Sequence, residues 1–233
     1  MIVDIGHTTI KIVPVYEGSV ISNAIQILEF CGEVLTDYLI LLMNKRGYSC
    51  NSSKEIEMYR EMKEKLCYCS LDFEKDLKIS QESSSLEKSY EDPNGPVYTL
   101  GDERFKICEP LFNPSIIGFE SEGIHKLILN SILKCNNEIQ KELFGNIILA
   151  GGSSMFEGIS ERLENEIQKL IDNSSSKFKQ EYFEKQCKLR VIAPPERKYS
   201  TWMGMSMISS LPNFQTKWIR YTFILFFNNF LFN

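Results

Sequence analysis

No block of lysines and arginines occurs anywhere in these 233 residues, and the formal charge is −5. A protein that holds nucleic acid by neutralising phosphates over a broad surface needs such a block, so that class is set aside. Histidine is nearly absent too: His7 and His125 are the whole supply. With no second cysteine pair near Cys67-Tyr-Cys69, a structural zinc site has no ligand set, and the two thiols read as residues near the end of a helix. The seven cysteines (Cys31, Cys50, Cys67, Cys69, Cys108, Cys135, Cys187) are scattered and odd in number. That excludes a disulfide-built scaffold and suits free thiols in a reducing compartment.

Long apolar runs are missing as well. The start, Met-Ile-Val-Asp-Ile-Gly, lacks the basic lead and extended apolar stretch of a secretory signal. The most apolar segment, Tyr221 to Asn233, is interrupted by Asn228 and Asn229 and falls short of the ~20 residues that cross a bilayer. It reads as an apolar tail. What remains is 43% hydrophobic and 24% charged sequence, the balance of a globular chain long enough to bury a core.

The pattern of that core is mixed. Residues 1–30 alternate like a meander of short strands: Ile2-Val3-Asp4-Ile5, then Gly6, Thr9 to Val13, a turn at Glu17-Gly18, and Ile25 to Leu28. Helical spacing follows over 35–46, ended by Gly47. A second helix is expected from Ser53, as N-cap, to Tyr68, with Ile56, Tyr59, Met62 and Leu66 forming its apolar stripe. Asp92-Pro93-Asn94-Gly95 predicts a turn between two strands. Helices near 103–112 and 122–145 precede the strand Asn146 to Ala150, which runs into Gly151-Gly152-Ser153. An amphipathic helix over 158–171, a polar stretch over 172–187, the strand Leu189 to Ile192, and helices over 199–211 and from Phe214 to about Tyr221 complete the order. This suits an α/β layer fold with a helical insertion at roughly 31–119.

Four short features carry chemistry, and each has an ordinary structural meaning beside the functional one. Asp4-Ile5-Gly6-His7-Thr8 can aim backbone N–H groups at a phosphate, or be a plain hairpin. Gly151-Gly152-Ser153 can admit a nucleotide to the backbone, or simply end a strand. Arg60, Lys63 and Glu64 share one turn of a helix and can grip a ribose and a base edge, or form a solvated face. Pro194-Pro195-Glu196-Arg197-Lys198 makes a rigid corner that can aim Lys198 into a cleft, or start a helix.

Together the wording and order of these segments are specific. Lys63 to Tyr68, Ser84 to Glu91 and Pro194 to Ser200 closely resemble stretches of conventional actin. Val13 to Gly18, Leu35 to Leu39, Asn113 to Gly118 and Gly204 to Leu211 follow it as well, so the similarity runs from residue 2 to about residue 220. The resemblance implies an α/β fold with a ribonuclease-H-like lobe of the actin and sugar-kinase type. Residues 1–30 and 120–199 would be the large subdomain of the second lobe, and 31–119 its inserted, mainly helical smaller subdomain. Residues 200–233 would be a remnant of the first-lobe segment with a divergent apolar tail, the first lobe being largely missing.

The function so implied is that of a cytoplasmic, cytoskeletal protein that binds ATP or ADP with Mg²⁺ or Ca²⁺, here weakly. Matched residue by residue, the nucleotide contacts would be Asp4, Gly6, Gly32, Arg60, Lys63, Glu64, Gly151, Gly152, Ser153, Met155, Phe156 and Lys198, with Asp4 also holding the cation through water. Expected partners are actin, actin-binding proteins and chaperones, with neither nucleic acid nor a membrane span. Departures bear on catalysis. Phe156 stands where actin has tyrosine, keeping a ring face and losing a hydroxyl. His7 and Thr8 replace the loop's second aspartate and second glycine, and Lys11 replaces the histidine that helps order the attacking water. No residue is therefore assigned a catalytic role, and hydrolysis and self-assembly are expected to be poor. Two alternatives stay open: a divergent actin-related subunit docking on a larger complex, and the non-functional product of a partial actin gene.

Overall fold

The computed structural model describes residues 1–50, 52–92, 95–174 and 188–217. It divides into two units, Met1–Lys198 and Tyr199–Asn233.

The first unit is organised by a five-stranded sheet. β1 (Ile2–Ile5) and β2 (Ile10–Val13) form an antiparallel hairpin, with Ile5 opposite Ile10 and Asp4 opposite Lys11. After the small ribbon of β3 (Val15–Tyr16) and β4 (Ser19–Val20), β5 (Gln26–Leu28) adds antiparallel to β2. Alternation decides the faces. Val3, Ile5, Ile10 and Ile12 are buried while Ile2 and Lys11 are exposed, as the period-two geometry of strands demands.

A long helical excursion follows. α1 (Gly32–Lys45) begins three residues earlier than the apolar spacing suggests, because the His7 carbonyl accepts a hydrogen bond from Glu33 N at 2.8 Å and so serves its first turn. α2 (Ser53–Leu66) is capped by Ser52 rather than Ser53. The Ser52 hydroxyl accepts from Glu55 N while the Glu55 carboxylate accepts from Ser52 N at 2.9 Å, a reciprocal capping box. Its buried stripe is also rotated from the expected one: Tyr59, Met62 and Lys63 are inside, and Ile56 is 46% exposed. α3 (Phe73–Glu82), capped by Asp72, is a further helix beyond the expected ones; it has no fully buried residue, and Phe73 and Leu77, one turn apart, are half-buried. The hairpin β6 (Lys88–Glu91) and β7 (Val97–Leu100) turns within the expected Asp92–Gly95, of which 93–94 lie outside the described residues.

The expected helix over 103–112 is two short ones, α4 (Glu103–Lys106) and α5 (Glu109–Phe112), with Pro110 in the first turn of the second. Proline has no N–H to continue a preceding helix, which accounts for the break. Likewise 122–145 is α6 (Ile124–Leu133) and α7 (Asn137–Gly145), separated where Asn136 caps the second. β8 (Ile147–Ala150) then lies parallel to β1, α8 (Ile159–Asp172) packs on α6, and β9 (Val191–Ile192) closes the sheet edge. The sheet order is β5-β2-β1-β8-β9. Of the polar stretch expected over 172–187, residues 175–187 lie outside the described ones.

In the second unit, α9 (Ser200–Ser210) is followed by a 3-10 helix over Pro212–Lys217. Trp202 is 71% exposed, and Met205, Met207, Ile208 and Leu211 are exposed with it. The apolar tail from residue 218 on lies outside the described residues, as does Cys187. The other six cysteines are free. Among the described residues no helix is long and apolar enough to cross a membrane.

Candidate nucleotide cleft

Three chain reversals meet at the ends of β1 and β8, and the residues there interlock through backbone atoms. Gly6 N donates to Thr9 O at 3.1 Å, closing the β1–β2 turn. Ser153 Oγ, just after the paired glycines, donates to Gly6 O at 2.7 Å and ties that turn to the end of β8. The third reversal is the proline corner, where Gly151 N donates to Arg197 O at 3.0 Å. Arg197 returns the connection, its Nε bonding Ser154 O at 3.1 Å and its Nη1 bonding Pro194 O at 2.9 Å. Arg197 was missed by sequence reasoning, which singled out its neighbour Lys198. Its role is to brace the corner that carries Lys198.

Two glycines are sterically required. Gly151 has φ +89°, a conformation other residues rarely adopt, and a Cβ there would strike the Asp4 carboxylate and the Ile5 carbonyl. A Cβ on Gly32 would stand 2.5 Å from Ser153 Oγ and 3.1 Å from Gly6 O. Side chains at either position would push the reversals apart.

The gap between them is a cavity of about 380 Å³ within the first unit. It is lined by Gly6, His7, Gly32, Arg60, Lys63, Glu64, Gly152, Ser153, Met155, Phe156 and Lys198. Of the contacts expected from the sequence, all but Asp4 and Gly151 are on this lining, and His7 joins them. Asp4 and Gly151 sit one layer behind, with the Asp4 carboxylate against the Gly151 backbone. Phe156 is buried, so it offers the cavity only a small part of its surface, whereas Met155 is exposed.

Lys63 is the best-defined charge. It is 4% exposed, against the expectation that it lies off the buried stripe of α2. Its Nζ donates to Gly32 O at 2.5 Å and to Thr36 Oγ1 at 2.8 Å, while Thr36 in turn donates to Gly32 O at 3.0 Å. Burial holds the ammonium's pKa below the usual lysine value, with Glu64 pulling the other way. Thr36 is a second residue that sequence reasoning missed; a threonine in a helix gives no signal of supporting a lysine 27 positions on. Arg60 pairs with Glu57 on the outer face of α2, and Lys198 reaches Glu64 at 3.2 Å, both pairs being largely exposed.

A family comparison bears directly on this geometry. The family model described as Actin matches residues 1–221. The chain belongs to the actin family. Its mixed sheet and helices accord with an actin-like fold. Resemblance to actin also implies a divalent cation beside the nucleotide, and the donor set can be tested for it. Hard cations take several oxygen ligands. The cavity lining carries one carboxylate, Glu64, already engaged by Lys198. Asp4 is off the lining and has Lys11 opposite it across the hairpin. Among the described residues no three His, Cys, Asp or Glu side chains are grouped to hold a metal. Among the described residues the cleft offers no set of carboxylates to ligate a cation directly.

Proposed function

We propose that the cavity binds ATP or ADP as the second-lobe wall of an actin-type nucleotide site, on a ribonuclease-H-like lobe built by the five-stranded sheet. One observation carries the reading. Residues spread over nearly 200 positions, from Gly6 to Lys198, converge on a single cavity, and they are the residues that similarity to actin singles out for nucleotide contact. The chemistry is suitable. Glycines let a ligand approach the backbone at Gly6, Gly32 and Gly152, Lys63 supplies a desolvated cation, and Met155 with Phe156 gives an apolar wall for a base. Lys198 and Glu64 supply a polar edge.

Hydrolysis is weak in this reading. Phosphoryl transfer depends on positioning and charge stabilisation, and Thr8 stands where close backbone approach favours glycine while Lys11 cannot accept a proton from water as a neutral imidazole does. The chain then acts as a nucleotide-binding, cytoskeletal member of its family in the cytoplasm, working with actin, actin-binding proteins and chaperones. Equilibrium titration with a fluorescent ATP analogue tests the reading. Binding is expected to be weak but saturable, displaced by ATP, and weakened about tenfold by Lys198→Glu. Absence of displaceable binding would remove the nucleotide reading; brisk phosphate release would remove the claim of weak hydrolysis.

A further inference from the structure

We propose that this cleft holds its nucleotide phosphates without a divalent cation, the countercharge coming from the protein. The inference rests on the nucleotide reading above and specifies its electrostatics. Arg60, Lys63 and Lys198 line the cavity against one lining carboxylate, Glu64; with Glu57, the partner of Arg60 on the outer face of α2, the local formal charge is 3 − 2 = +1 on a chain whose net charge is −5. A positive cavity in a negative chain focuses field on an anion and repels a second cation.

The arrangement of these charges matters more than their number. Glu64 is taken by Lys198 at 3.2 Å, so it is not a free ligand for a metal. Lys63 is different: both of its hydrogen bonds go to neutral oxygens, Gly32 O and Thr36 Oγ1, so its charge is positioned without a direct ion pair, Glu64 acting only from nearby. An ammonium has three N–H donors, and the remaining one serves the cavity that Lys63 lines. Because Lys63 is buried, its attraction for phosphate is screened less than that of a surface lysine. His7, at the turn beside Gly6, adds a ring that can donate to phosphate and carries no negative charge for a metal. Asp4 has Lys11 directly opposite on the same face of the hairpin, where Cβ atoms of a cross-strand pair are only ~5 Å apart. The one carboxylate near the phosphate turn thus shares its face of the hairpin with a lysine.

Uncomplexed ATP is a more highly charged anion than its magnesium complex, so a site built this way prefers it. The test uses the full 233-residue chain and a fluorescent ATP analogue, titrated in excess Mg²⁺ and in EDTA, with unlabelled ATP as competitor. Affinity in EDTA is expected to equal or exceed that in Mg²⁺, and to fall as KCl is raised. A loss of more than about threefold on removing Mg²⁺ overturns the proposal while leaving the nucleotide reading intact. No displaceable binding in either buffer removes that reading, and this one with it. His7→Asp sharpens the result by placing a carboxylate at the turn. It is expected to weaken binding in EDTA about tenfold and to recover part of that loss in Mg²⁺. If His7→Asp folds, by circular dichroism, and binds like the parent in both buffers, charge at the turn is irrelevant and the proposal fails. Arg60→Gln, at an exposed helix position, is the second arm: it is expected to flatten the salt dependence in EDTA, and an unchanged slope counts against the proposal.

Discussion

α2 and α8 are alike on paper. Each is a 14-residue amphipathic helix with basic and acidic side chains one turn apart: Arg60, Lys63 and Glu64 on one, Arg162, Glu166 and Lys169 on the other. In the fold they do opposite things. Arg162 is 8% exposed, and its guanidinium is enclosed by acceptors. Its Nη1 meets Ser70 O at 2.5 Å and Glu109 Oε1 at 3.0 Å, and its Nε meets Glu166 Oε1 at 2.9 Å. The ring of Phe112 lies 4.9 Å beneath it. Lys63, equally buried, gives its hydrogen bonds to neutral oxygens beside a cavity, with Glu64 as the nearby carboxylate. The first cluster closes on itself and holds α5 to α8. The second leaves charge unspent toward an open space, which is what a binding site requires. Identity and spacing of charged residues do not separate these cases; the acceptors that surround them do.

The largest expected effect follows from breaking the closed cluster. Burial pushes the Glu109 carboxyl above its ordinary pKa, and Arg162 pulls it back part of the way. Arg162→Ala leaves that carboxylate buried without its cation and is expected to lower stability by about 3–5 kcal/mol, measured by urea unfolding. The double change Arg162→Met with Glu109→Leu removes both charges and is expected to lose far less. An equal loss would mean that packing, not charge, dominates there.

The second effect concerns His125, whose ring lies 5.8 Å from Phe112. Its Nδ1 is buried with no hydrogen-bond partner among the described residues. Burial lowers its pKa from 6.5 to about 4, with Glu166 opposing and Lys126, Arg162 and Lys169 assisting. Because the folded value is below the unfolded one, the unfolded chain binds the proton first. The stability from keeping this ring neutral is therefore full above pH 6.5 and is lost as pH falls toward 4. The loss is at most about 3 kcal/mol. Unfolding midpoints of the parent and His125→Gln at pH 7 and pH 5 check it; the variant is expected to show the shallower pH dependence, and parallel curves would contradict the assignment.

The smallest effect on stability is expected in the open cluster. Lys63→Met keeps the apolar stem and removes a desolvated ammonium, so the folded state should change by no more than about 1 kcal/mol. Affinity for the ATP analogue should nevertheless fall about tenfold or more, the weight of one charge-assisted hydrogen bond. If stability collapses and affinity among folded molecules is unchanged, the two clusters are alike after all.

Much of this was legible in the residues. Alternation in Val3, Ile5, Ile10 and Ile12 set the hairpin, because a half-buried sheet must place every second side chain inside. Asp92 to Gly95 marked the second hairpin, and the strand before Gly151 marked the glycine turn. Similarity to actin named nearly all of the cavity lining. Other features were decided by contacts between distant segments. α1 starts at Gly32 because a carbonyl from the β1–β2 turn serves its first N–H groups, and the buried stripe of α2 includes Lys63 because Gly32 and Thr36 offer it oxygens. Periodicity measures apolar spacing along one helix and is blind to a polar partner on another. For the same reason nothing in the sequence tells Arg162 from Arg60. The chain's own pattern determined which segments are strands and helices and which family they belong to. Only the tertiary structure decided which charges are enclosed by acceptors and which are left facing a ligand, since that depends on oxygens brought together from positions as far apart as Gly32 and Lys63, or Ser70 and Arg162.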